Sequence, residues 1–242
     1  MTVAIAIPCI DGIVLAADSM GHAERIATKV EKVSVIASHR LTVATSGSEF
    51  MTQALLDAVR KQLPETELAK LVAGLGPGIT AARQIPRAPE PGAASPHGLE
   101  ALFAFWSGSA PSVVHLPDDL ACVECIGKPF VAAGSAADFA NVVFETLSHL
   151  VDERPTVTQG KLLAYRVVST VCQVSSWGVG LPVQMSTVTE RGAELVPSAE
   201  LEQLNAGVAG WLAVESTYLG EVVGIGELPS EATDERSRFE AG

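Results

Sequence analysis

The amino-acid sequence predicts an α+β fold in which two stacked β-sheets carry helices on their outer faces. Three observations lead there. The hydrophobic pattern falls into blocks: four strands, two helices, about three strands, two helices, two strands. Segregated blocks build α+β layers rather than an alternating parallel sheet. The first two apolar runs do not alternate, so both of their faces need cover. Finally, 242 residues at 48% hydrophobic content suffice for a full core. The chain reads as one domain over residues 2–228, with a polar, charged tail at 229–242 expected to be disordered.

Residues 2–8 (Thr-Val-Ala-Ile-Ala-Ile-Pro) and 12–18 are apolar runs around Asp11-Gly12, a strong hairpin signal. Residues 30–36 and 41–46 alternate better and form a second hairpin across Ala37–Arg40. The period then changes. Phe50, Leu55, Leu56, Val59 and Leu63 share one helical face over 49–63. A second helix follows near 65–73 and a short one near 79–84. Residues 86–98 hold four prolines and read as a surface loop.

Strands resume at 99–106, 112–116 and 120–126. Residues 130–135 lead into a helix at about 136–151, which Pro155 closes off. A further helix spans 158–174 with Leu162, Leu163, Tyr165, Val168 and Val171 as its apolar positions. Residues 182–190 and 193–196 form a last hairpin around Arg191-Gly192. No repeat of solenoid period is visible.

Composition excludes several classes. Sixteen basic against 28 acidic residues give a net charge of −12, which argues against nucleic acid or an anionic membrane as partner. The first apolar run is too short for a signal segment or a membrane span and lacks a basic leader, so a cytoplasmic protein is expected. Cys122-Val-Glu-Cys125 is a lone C-x-x-C with no second pair and no suitably spaced histidine, so ordinary thiols are expected. No metal ligand set and no cofactor motif stand out. Gly74-Leu-Gly-Pro-Gly78 lacks the strand-then-helix setting of a dinucleotide loop.

The chemistry concentrates near the start of the chain. Removal of Met1, which a small second residue permits, leaves Thr2 with a hydroxyl and a free α-amine. A threonine hydroxyl needs a base to act as a nucleophile, and its own amine is a recognised one. That amine has a pKa of about 7.7–8.0, so a useful fraction is neutral near pH 7. If Asp11-Gly12 is a two-residue turn, facing residue numbers sum to about 23 and Thr2 lies opposite residue 21. A longer turn slides Thr2 towards Asp18. Lys32 opens the next strand, with Lys29 the alternative if the intervening loop is shorter. A buried lysine near Thr2 would stabilise a developing alkoxide, and Asp18 would keep that lysine charged and oriented. Taken singly, each residue has an ordinary reading: Asp18 as a turn or cap, a lone lysine as a surface charge. Their order and the hairpin favour a site.

Thr2, Asp-Gly-Ile-Val-Leu-Ala-Ala-Asp-Ser (11–19), Lys32-Val33 and Ala-Thr-Ser-Gly (44–47) together resemble the proteasome β-subunit type of N-terminal nucleophile hydrolase, including the bacterial ancestral β-subunit type. Phe-Val-Ala-Ala-Gly-Ser-Ala-Ala-Asp-Phe-Ala (130–140) is similar to that family's strand-to-helix segment. The resemblance spans roughly residues 2–195. It implies a four-layer αββα sandwich. It also implies roles: Thr2 as nucleophile, Asp18 and Lys32 as its supporting ion pair, Ser135 near the terminal amine, and Gly47 as an oxyanion N–H donor. Val30, Thr45 and Glu49 match positions that line the pocket for the residue before the scissile bond, where a glutamate favours a basic side chain. The family's Asp, two residues, Ser-Gly-Gly pattern is met only by Gln173-Val-Ser-Ser176-Trp-Gly178, with Ser176 at the serine and no acid at 173.

The function so implied is a threonine-type peptidase acting on peptides or unfolded protein within a self-assembled homo-oligomeric ring. The apolar faces of the paired helices at 49–84 offer contacts for such a ring. A catalytically silent scaffold subunit and a small-molecule amidase on the same fold are the alternatives.

Overall fold

The computed structural model describes residues 2–23, 26–36, 40–62, 80, 84, 98–107, 110–119, 123–151, 154–175 and 178–223. The expected helix at 65–73, most of the one at 79–84, nearly all of the proline-rich loop, Cys122, Ser176 and the 229–242 tail lie outside these residues. Contacts divide the chain into two compact units, with the boundary between Leu204 and Asn205.

The strands are β1 (Ala4–Pro8), β2 (Ile13–Ala17), β3 (Met20–Ala23), β4 (Ile26–Lys29), β5 (Val33–Ile36), β6 (Leu41–Gly47), β7 (Leu99–Ser107), β8 (Ala110–Leu116), β9 (Val123–Glu124), β10 (Val131–Ala133), β11 (Gln184–Thr189) and β12 (Gly192–Leu195). The helices are α1 (Glu49–Gln62), α2 (Ala137–Ser148), α3 (Val157–Val174) and α4 (Ser198–Val223). One sheet has the order β10-β1-β2-β11-β12 and the other β5-β6-β7-β8-β9, with β3-β4 as a separate ribbon.

Four layers follow from which faces are apolar. Alternate residues of β7 point to opposite sides. Leu102 and Ala104 join Ala4, Ala6, Leu15, Val33 and Val188 in the core between the sheets. Phe103 and Phe105 join Leu41, Val43, Leu55 and Val59 in the core under α1. The strands β1 and β2 are buried on both faces because α2 and α3 pack on the side away from the second sheet. Helix α3 starts with a reciprocal cap in which Gln159 N–H donates to the Thr156 hydroxyl and the Gln159 side chain accepts from Thr156 N–H. Such a cap contributes about 1 kcal/mol. The first unit is therefore the expected αββα sandwich.

Several elements differ from expectation. The first hairpin is not closed by two residues. Ala4 pairs with Ala17 and Pro8 with Ile13, leaving four residues in the connection. Tertiary contacts override the local turn signal: the Asp11 carboxylate accepts Val157 N–H at 2.7 Å, and Ile10 N–H donates to Pro155 O at 3.0 Å. Each register number drops by two, which brings Val3 opposite Asp18. The expected polar loop after Asp18 contains the ribbon β3-β4, with Met20 paired to Lys29. Helix α4 has no counterpart in the sequence reading. Leu212, Val214, Tyr218 and Leu219 are exposed on it while Val208 is buried, so its apolar residues are spread over more than one face. No helix among the described residues is long and apolar enough to cross a membrane.

Candidate active site

Asp18 leaves the end of β2 where the chain turns into the ribbon, and its side chain is fully buried. Every lone-pair direction is used. Oδ1 accepts Val3 N–H at 3.1 Å and Lys32 Nζ at 2.8 Å. Oδ2 accepts Met20 N–H at 3.0 Å and Gly180 N–H at 3.1 Å. A buried carboxylate is tolerable only when satisfied in this way.

Lys32 sits just before β5, with a side chain 7% exposed. Its ammonium bridges Asp18 and the Thr2 hydroxyl, donating to Thr2 Oγ1 at 3.0 Å. Burial pushes its pKa below the ordinary lysine value, while the Asp18 carboxylate opposes that shift. Lys29 is exposed at the end of β4, so Lys32 is the lysine that reaches Thr2. Cys172 on α3 lies within the field of this pair. Burial pushes its thiol up to about 12, with Asp18 adding to the shift and Lys32 opposing it.

Thr2 itself is buried. Its nitrogen is a peptide N–H while Met1 is attached and stands in for the amine that Met1 removal would release. That N–H donates to Ser135 Oγ at 3.1 Å. Thr2 O accepts Ala136 N–H at 3.1 Å, so residues 135 and 136 grip residue 2 at both backbone ends. Gly134 makes this approach possible: it has φ +91°, and a Cβ there would lie 2.4 Å from Thr2 O. Only glycine fits.

The structure thus joins Thr2, Asp18, Lys32 and Ser135 through direct hydrogen bonds. Thr45 is buried on β6, and its N–H donates to Lys32 O at 2.9 Å. Gly47 ends β6 with φ +126°, where a Cβ would lie 2.1 Å from Gly98 O. Val30 N–H donates to Ser19 O at 2.8 Å, and its side chain fills the space beside Gly21. Glu49 is exposed in the first turn of α1. Gln173 is exposed near the end of α3, and Ser176 lies outside the described residues.

Three contributors were missed in the sequence reading. Gln184 Oε1 accepts both Lys32 N–H (2.8 Å) and Val33 N–H (3.1 Å), while its amide donates to Val30 O. It fixes the backbone that aims Lys32. Gly180 supplies an N–H to Asp18. Glu100 accepts Gly134 N–H at 2.7 Å through Oε2 and His115 Nε2–H at 2.7 Å through Oε1. The only local signal for Glu100 was an acid at an inward-facing position of a strand.

An αββα sandwich with this cluster at the start of its first strand defines the N-terminal nucleophile hydrolase fold class. Residues 2–181 match the proteasome subunit family model, and the chain belongs to that family. Solved structures similar to it include ancestral β-subunits. The protein from Yersinia bercovieri superposes with a TM-score of 0.69 at 13% identity, covering 89% of this chain and 97% of that one. A Gly-1 mutant from Hyphomicrobium sp. strain MC1 gives 0.68 at 14% identity, with 90% and 97% covered. The helical assembly of the Anbu complex from Pseudomonas aeruginosa gives 0.67 at 12% identity, with 96% and 100% covered. At these identities the likeness is one of fold. No curated protein sequence shows a significant match.

Proposed function

We propose that the chain is a threonine-type N-terminal nucleophile hydrolase that cleaves peptide bonds after loss of Met1. The observation that carries this reading is Lys32 Nζ, 3.0 Å from Thr2 Oγ1 and 2.8 Å from Asp18 Oδ1. A surface threonine has no use for a buried ion pair aimed at its hydroxyl.

In the proposed reaction the neutral α-amine of Thr2 takes the Oγ1 proton as Oγ1 bonds to the scissile carbonyl carbon. Lys32 stabilises the developing alkoxide. Gly47 N–H donates to the oxyanion, a contact of a kind worth about 2.7–4 kcal/mol in the transition state. The C–N bond then breaks, and the ammonium returns its proton to the leaving amine. Water adds to the resulting ester on Thr2 by the same proton route, releasing the acid and restoring the hydroxyl. Val30, Thr45 and Glu49 contact the residue before the scissile bond, and Ser176 completes the surroundings of the amine.

Family membership supports a peptidase that works inside a homo-oligomer, and the helical assembly of a structural neighbour supports self-association. Peptides or unfolded protein are the proposed substrates and the cytoplasm the proposed location. Mass spectrometry of the mature protein should show Met1 absent. Fluorogenic peptide hydrolysis should be lost in Thr2→Ala. Retained Met1, or hydrolysis unchanged in Thr2→Ala, sinks the reading. Gln173 favours one other reading, a silent scaffold subunit, because no acid stands there. A Thr2 inert to an epoxyketone in a protein that still assembles would select it. Cleavage of simple amides but not peptides, by a monomer, would indicate a small-molecule amidase.

A further inference from the structure

A second titratable pair stands on the nitrogen side of Thr2, and none of the steps above uses it. Glu100 lies on β7 in register with Ser46, on the inter-sheet face it shares with Leu102 and Ala104. A carboxylate at the end of an apolar layer must be paired. Here one oxygen accepts from His115 on the neighbouring strand β8, and the other crosses to the opposite sheet to accept Gly134 N–H. Gly134 is followed by the two residues that grip Thr2, Ser135 at its nitrogen and Ala136 at its oxygen. The turn that holds the nucleophile is therefore tied down from the other sheet by a carboxylate. The His115 N–H, then burial opposing it and the Gly134 N–H assisting, keep the Glu100 carboxyl below its ordinary range and so ionised.

We propose that Glu100, oriented by His115, is a positioning residue for the Thr2 amine: it anchors the 134–136 turn and supplies the negative charge on the amine side that position 173 lacks. The proposal rests on the reading of Thr2 as nucleophile. Among the described residues, the other titratable groups around this centre are Lys32 and Asp18 on the hydroxyl side, Cys172 behind them on α3, and Asp118, whose carboxylate accepts Leu99 N–H at 2.9 Å.

Glu100→Gln keeps an acceptor for Gly134 but removes the charge. The ammonium form of Thr2 loses a favourable field, so the amine titrates lower. The acid limb of peptide hydrolysis should move down by about 0.5–1 pH unit, with kcat near optimum within about threefold of wild type. Glu100→Ala removes the anchor as well, and kcat should fall by about 10–100-fold with KM little changed. An unmoved acid limb in Glu100→Gln, or an unchanged kcat in Glu100→Ala, overturns the proposal. Hydrogen exchange at Gly134 reads the anchor without turnover. It should quicken by about tenfold in Glu100→Ala, and unchanged exchange overturns the proposal. Wild-type protein lacking Thr2-dependent hydrolysis would overturn the functional reading alone, and the exchange result would still decide the anchor.

Discussion

Thr2 meets a buried ion pair on its hydroxyl side and a half-buried turn on its nitrogen side, and each is strapped across the two sheets by one long polar side chain. On the hydroxyl side the strap is neutral: Gln184 of β11 grips the backbone of Lys32 and Val33 as the chain enters the other sheet. On the nitrogen side it is charged: Glu100 of β7 grips Gly134 in the opposite direction. Burial differs accordingly. The Lys32 and Asp18 side chains are 7% and 0% exposed, whereas those of His115 and Glu100 are 23% and 27% exposed. Charge on the hydroxyl side is compensated internally and hidden from salt. Charge on the nitrogen side sits where water and pH reach it. Such a division suits a nucleophile whose alkoxide needs a fixed cation and whose amine must exchange protons.

The hydroxyl side is most vulnerable at Asp18. Asp18→Ala leaves the Lys32 ammonium buried without a counterion and orphans the N–H groups of Val3, Met20 and Gly180. Loss of one partner from a buried pair costs about 3–5 kcal/mol, to be read as a fall in the denaturant midpoint. Hydrolysis should drop by on the order of 10²–10³-fold. Asp18→Asn keeps acceptors for the backbone and should recover part of the stability while activity stays low. Recovery of both would mean that the carboxylate only caps the turn.

Gln184→Ala tests the neutral strap and should do less. Two N–H groups at the start of β5 lose their acceptor, a cost of about 1–3 kcal/mol, and Lys32 is aimed less well. Peptide hydrolysis should fall by about tenfold with its pH profile unmoved, because no charge has changed. A moved acid limb would erase the distinction from Glu100→Gln and with it the contrast between the straps.

What could be read beforehand follows the same division. Asp18 and Lys32 were legible because they interrupt apolar runs close to Thr2 and because the Asp11–Ser19 stretch carries a specific family pattern. Their exact facing was not, since Asp-Gly signals a tight turn locally while Val157 and Pro155 decide the connection from far along the chain. Gln184 and Glu100 lie 152 and 34 residues from the backbone they hold, and no periodicity encodes a contact between two sheets. The ribbon β3-β4 was missed because Met-Gly-His-Ala is not a strand-like run. Helix α4 carries Gly207, Gly210 and Gly220, which lower its helix propensity, and Leu212, Val214, Tyr218 and Leu219 on its exposed side blur the apolar period.

The smallest effect lies at high pH, where the dry side of Thr2 should reveal itself through a thiol. Cys172, near the ion pair, and Cys9, under α3, are both pushed from an ordinary 9.0 up to about 12, chiefly by burial. Between those values the folded chain keeps protons that the unfolded chain has lost. The contribution to stability is complete below pH 9 and is lost as pH rises towards 12. Lys32 works the other way. Its lowered pKa means the unfolded chain binds more protons just below 10.5, so its contribution rises with pH over that window. Denaturant midpoints measured from pH 8 to 11 should therefore fall on the alkaline side. Cys172→Ala should flatten that fall in part, and the double change with Cys9→Ala should flatten it further. Iodoacetamide at pH 8 should leave Cys172 largely unmodified, since the thiolate is the reactive form. Rapid alkylation there would show that water reaches the Lys32–Asp18 pair from α3, and the hydroxyl side would then be no drier than the nitrogen side.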